Sequence, residues 1–140
     1  PWITLTGVAI GGVFVMRYKI LKLLMALGIV EILTSIVFAL FSFFSHSTLM
    51  FLVVILFDNI VGGMGGAVFV AFLSGLCSKK YSATQYALLT SLMMLAVSVI
   101  SVYSGIWAEE MGWFLFFIFT GILMIPALCL LSYLIVQEKK

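Results

Sequence analysis

The 140-residue chain is 65% hydrophobic and 9% charged, with a mean hydropathy of +1.35 and a formal net charge of +2. Ordinary soluble domains are about 45–50% apolar and about 25% charged, so there is too little polar surface here to cover a soluble particle. Seven Lys and Arg scattered over the chain form no dense basic stripe, which argues against a nucleic-acid partner. The fold class that remains is all-α: a polytopic bundle of transmembrane helices with the lipid bilayer as its first partner.

In chain order, residues 1–16 open an apolar, glycine-bearing run that falls short of the roughly 20 residues needed to cross a bilayer core. Pro1 stands where an initiator methionine would, and no basic leader of a signal peptide precedes the run. The expectation is a truncated first helix, and a chain that is part of something longer. Arg17, Lys19 and Lys22 make a basic turn, and residues 21–44 supply a full span interrupted by Glu31. Residues 45–48, with His46, form a short uncharged loop.

The third span, residues 49–77, has twenty-nine residues. As a straight helix it measures about 43 Å, longer than the hydrocarbon core. Its glycine group is the expected place for a bend, because Gly weakens a helix by about 1 kcal/mol relative to Ala. Ser78-Lys79-Lys80-Tyr81 turns the chain. Ser82 is then placed as the cap of the fourth span, residues 82–108, with Gln85 at capping-box spacing. Glu109 to Gly112 read as an acidic loop, and residues 112–136 as the last span, with Pro126 inside it as a modest kink.

Lys and Arg number three, none, two, none and two at the five successive turns and ends. That alternation, under the positive-inside rule, predicts a cytoplasmic C-terminus, with the His46 and Glu109-Glu110 turns outside.

Few residues can carry chemistry. Glu31 and Asp58 each lie about ten residues inside an apolar span, where a carboxylate costs about 2.5–3.5 kcal/mol on insertion scales and faces a cavity or a partner. Asp58, with Asn59 and glycines beside it, ranks first as a proton or substrate path residue. Set at different depths on antiparallel helices, Glu31 and Asp58 need not meet. Gly62, Gly63, Gly65 and Gly66 contain the GxxxG spacing at 62 and 66, and Gly63, Ala67, Ala71 and Gly75 continue one small face. Such a face is a packing seam for a second helix or a hinge. Ser91 and Ser98 recur at heptad spacing on the fourth span, either lining a polar path or bonding to adjacent helices. The lone His46 and the unclustered Cys77 and Cys129 offer no metal site, no cofactor motif is present, and no nucleophile-base pair supports an enzyme.

The succession Asp58-Asn59, Gly62-Gly63-Met64-Gly65, Ala67 to Leu73, Leu76-Cys77 and Ser82-Ala83-Thr84-Gln85-Tyr86-Ala87-Leu88-Leu89, with Glu109-Glu110-Met111-Gly112-Trp113, resembles the AmpG-type muropeptide permeases of the major facilitator superfamily. The resemblance implies part of the C-terminal half of a twelve-span carrier: the end of the eighth helix and the ninth to twelfth. It further implies a proton-motive-force-driven importer of anhydro-muropeptides in a bacterial inner membrane, acting in peptidoglycan recycling. The implied partners are a muropeptide-like small molecule and the missing N-terminal half, without which the chain is not expected to transport. Ala96-Val97 and Ser101-Val102 depart from the Gly-Arg and Gly-Pro pairs that the family often carries there. The alternatives are a related carrier for siderophores or another organic cargo, and a membrane protein of assembly that moves nothing.

Overall fold

A computed structural model of the chain describes residues 2–41, 48–77 and 82–138. Within them lie five helices: α1 (Trp2–Arg17), α2 (Ile20–Phe41), α3 (Thr48–Leu76), α4 (Ser82–Met111) and α5 (Trp113–Glu138). No strand occurs among the described residues. Helices α2 to α5 are each long and apolar enough to cross a membrane, and α1, at 16 residues, is shorter. The fold is a polytopic helix bundle. The turns at His46 and at Lys79-Lys80, and the terminal Lys139-Lys140, lie outside the described residues.

One turn differs from what the residues suggest. Glu109 and Glu110 are not in a loop but in the last turn of α4, which runs to Met111. Gly112 alone separates α4 from α5. Its φ of 81° lies in the left-handed region, where Gly is tolerated without the Cβ penalty of other residues, so one residue suffices to end the helix and reverse the chain. Its carbonyl accepts the Phe116 amide at 3.0 Å, opening α5. Helix α3 continues as one α-helix through Gly62 to Gly66. In a helix that cannot hydrate its backbone elsewhere, breaking the ladder costs more than the low propensity of Gly does.

Packing follows from where side chains are smallest. Helix α1 lies along α3: Gly7 faces Ile60, and Gly11 faces Met64 and Ala67. Residue numbers rise together across this contact, so α1 and α3 run parallel. Helix α2 packs on α5 with the opposite sense, through Gly28 against Met124 and Leu128, Ser35 against Gly121, and Phe38 stacked on Phe117 at 5.3 Å between centroids. Those pairs run antiparallel. Helix α2 also packs on α3, where Phe38 and Phe41 both meet Phe51 edge-on. Helix α4 leans lightly on α3 and α5 and is exposed along nearly all its length, with Ala108 its buried residue.

An ion pair ties one end of the bundle together. Lys19 Nζ lies 3.1 Å from Glu138 Oε1, joining the α1–α2 turn to the end of α5. Both side chains are well exposed, 61% and 44%, so the pair marks a shared end more than it stabilises the fold. Arg17, Lys19 and Lys22 are gathered at that same end.

Candidate functional site

Two intramembrane carboxylates meet in one cavity. Glu31 of α2 and Asp58 of α3 both line a space of about 270 Å³, together with Ser35, Phe38, Phe116, Phe117, Thr120 and Met124. Counted each from its own side of the membrane, the two are expected at different depths. Counted from the 42–47 connection that α2 and α3 share, each lies ten residues in, Glu31 from Phe41 and Asp58 from Thr48. Two antiparallel helices with equal counts from their adjoining ends place those residues at one level, about 15 Å along each helix.

Neither carboxylate has a cation or a hydrogen-bond donor as partner among the described residues. The nearby hydroxyls are engaged with backbone. Thr34 donates to the Val30 carbonyl at 2.8 Å, Ser35 to the Glu31 carbonyl at 2.9 Å, and Thr120 to the Phe117 carbonyl at 2.9 Å. Such back-bonding leaves the hydroxyl oxygens as acceptors toward the cavity and gives the carboxylates nothing. Phe38, Phe116 and Phe117 form the aromatic wall, and Trp113 stands next to Phe116 and Phe117.

A second cavity of about 360 Å³ lies between α2, α3, α4 and α5. Glu31 and Met124 line both cavities. The rest of its wall is apolar, from Leu24, Leu27, Phe69, Met93 and Val97, with Gly28 and Val61. Gly62, Gly65 and Gly66 complete it, and a Cβ added at any of the three meets nothing within 4 Å.

The α3 glycines therefore do two jobs that the sequence reading had merged. Gly63 is buried against α1, where an added Cβ would strike the Thr4 carbonyl. Gly62 and Gly66, the pair at GxxxG spacing, face the cavity and no helix. Ala67 continues the α1 contact through Gly11. Ala71 is half-buried, and Gly75 is exposed with open space about it. The other half of the seam is Gly7 and Gly11 of α1, which the sequence reading passed over. Their own GxxxG spacing was the available signal.

Asn59 separates from Asp58. It is next in sequence, so about 100° further round the helix, and it points to α1. Thr4 Oγ1 donates to Asn59 Oδ1 at 3.2 Å, while Asn59 Nδ2 donates to the Ile55 carbonyl at 2.8 Å. Asn59 is thus part of the α1–α3 seam and not of the carboxylate cavity. Ser91 and Ser98 are both exposed on α4, and neither hydroxyl bonds to another helix among the described residues. Ser82 begins α4, but its side chain, and with it the expected cap, lies outside what is described. Among the described residues no group of three or more His, Cys, Asp or Glu is arranged to hold a metal.

The sequence has curated relatives along almost its whole length. It is 40% identical over 131 residues to a transporter named AmpG 4 of Rickettsia conorii, covering 94% of this chain. It is 39% identical over 126 residues to an AmpG 1 transporter of Rickettsia prowazekii, covering 89%. The chain is a homologue of the AmpG transporters. The Escherichia coli protein named anhydromuropeptide permease is 32% identical over 128 residues, covering 91% of the chain. This AmpG homologue spans about a third or less of the length of these relatives: 32%, 28% and 26%. No protein-family model matches the chain, and no solved structure matches it significantly.

Proposed function

We propose that these helices form part of a proton-driven inner-membrane permease that imports anhydro-muropeptides, with Asp58 and Glu31 on the proton path. The observation that carries the reading is the cavity in which two carboxylates face each other's neighbourhood without a cation, midway along apolar helices. An acid at that depth costs about 2.5–3.5 kcal/mol on insertion scales, and intramembrane acids that face a common cavity serve proton relays in carriers. The cargo comes from the printed name of the Escherichia coli relative. In this reading the chain supplies one flank of the path, and the rest of a carrier supplies the other. Alternating access needs two bundles rocking about a midplane site, so this AmpG homologue reconstituted alone should move nothing.

The test is a chimera. Residues 1–140 replace the matching segment of the Escherichia coli permease, and the product is expressed in cells lacking their own. Uptake of labelled anhydro-muropeptide should be restored and should fall to background with an uncoupler. A chimera that reaches the membrane intact but imports nothing refutes the cargo; import that ignores the uncoupler refutes the proton drive.

The same reading places the Lys19–Glu138 end in the cytoplasm, on the strength of the alternating Lys and Arg counts. With Cys77 and Cys129 replaced by Ala, single cysteines at Glu110 and at Gln137 report the sides. A membrane-impermeant maleimide added to intact cells should label the first and spare the second until the cells are opened. The reverse pattern would invert the orientation.

A further inference from the structure

We propose that the two cavities together form a binding site for an organic cation bearing apolar or aromatic substituents, its charge held at Glu31 and its body in the larger space. Nothing in this depends on the muropeptide reading, and it concerns equilibrium binding with no transport step.

Three features of the geometry select that chemistry. The smaller cavity holds two carboxyl groups, Glu31 and Asp58, with no cationic partner among the described residues. A cation bound there favours the ionised carboxylate and is attracted to it strongly in low dielectric. The same walls carry Phe38, Phe116 and Phe117, and aromatic faces attract organic cations most when water is excluded. Finally, Glu31 is shared with the apolar cavity of about 360 Å³, within the range of small-molecule sites. A ligand held at Glu31 can therefore extend its apolar part over the bare glycine strip toward Phe69 and Met93.

An inorganic ion fits less well. Calcium takes six to eight oxygen ligands and magnesium near-octahedral oxygen geometry, whereas most of this wall, Ile32, Phe38, Phe116, Phe117 and Met124, offers a metal ion no oxygen. The glycines have a reason in this account that helix packing does not give. A Cβ at Gly62, Gly65 or Gly66 would meet no other helix, and any larger side chain on this cavity wall would take up ligand space.

Equilibrium dialysis of radiolabelled benzyltrimethylammonium against the full chain in phosphatidylcholine nanodiscs tests the site, with empty nanodiscs as the blank. Saturable binding is expected, undiminished by an excess of the neutral isostere neopentylbenzene. Glu31→Gln and Gly65→Leu should each weaken it at least about tenfold, the first by removing the charge and the second by filling the cavity. Glu110→Gln, at the far end of α4, should leave it unchanged. Where a variant does not fold, the unaltered protein gives a second measurement. The cation should slow modification of Glu31 by dicyclohexylcarbodiimide, read by mass spectrometry, and leave Glu110 unaffected. Binding that does not saturate, binding retained by a folded Glu31→Gln variant, or Glu31 modification indifferent to the cation would each overturn the proposal.

Discussion

Replacing Gly63 by Ala is expected to destabilise the bundle by about 1–3 kcal/mol, the usual cost of forcing an atom into a packed core, while the same change at Gly62 is expected to be neutral or mildly stabilising. The two residues are adjacent on one helix and differ only in what they face. At Gly63 the new methyl falls on the Thr4 carbonyl and close to the Val8 amide. Both are backbone atoms of α1 and cannot rotate away, so α1 must move off α3. At Gly62 nothing lies within 4 Å, and Ala there gains up to about 1 kcal/mol of helix propensity. Gly7→Ala should behave like Gly63→Ala, because its methyl would meet the Ile60 backbone from the other side of the same seam. Gly12→Ala should behave like Gly62→Ala, since it too looks into open space. Denaturation in detergent, followed by helical circular dichroism, separates the pairs. Equal midpoints for Gly62→Ala and Gly63→Ala would mean that α1 and α3 are not in contact.

The seam holds these helices where no hydrophobic driving force would. Lipid tails are as apolar as Leu, so association in a bilayer depends on close packing and interhelical hydrogen bonds. Gly7, Gly11 and Gly63 supply the first and the Thr4–Asn59 bond supplies the second. Asn59, adjacent to Asp58, then serves a different purpose. It bonds α3 to α1, while Asp58, about 100° away round the helix, lines the cavity with Glu31.

In the uptake chimera, Asp58→Asn and Glu31→Gln are each expected to lower uncoupler-sensitive import about tenfold or more, a loss on the order of 1.4 kcal/mol or greater in the rate-determining step. Each change keeps the volume and the hydrogen-bonding shape of the side chain and removes its capacity to take up and release a proton. Because the two groups share a cavity, their effects should not add. The double variant should be little worse than either single one, as is expected of groups that share one network. Membrane levels of each variant, measured by immunoblot, distinguish lost activity from lost protein. Import at the unaltered level in either inserted variant would take that carboxylate off the proton path.

Much of the architecture was legible in the residues. Twenty or more apolar residues between polar turns specify a span by length alone, so the helices fall where hydropathy puts them. The exceptions were at ends: Glu109 and Glu110 were read as loop because they are charged, yet a helix can carry charged residues into its last turn before a single left-handed glycine. The site was legible only as a set of residue types. Glu31 and Asp58 could be singled out because acids are expensive in lipid, but their meeting could not. It depends on α2 and α3 packing side by side and on α3 being rotated so that Asp58 enters the cavity that Glu31 lines.

The sequence by itself determined that this chain lives in a membrane, how many times its helices can cross, which residues are too polar to face lipid, and to which transporters it is homologous. Which glycine packs and which lines a cavity, that Asn59 and Asp58 part company, and that two acids share one space were decided by the tertiary structure. The physical reason is that a helix immersed in lipid is apolar on every side. In water the buried face announces itself by hydrophobic periodicity; here lipid and protein interior are alike in polarity, so the facing of a residue is set by the shape of the neighbouring helix.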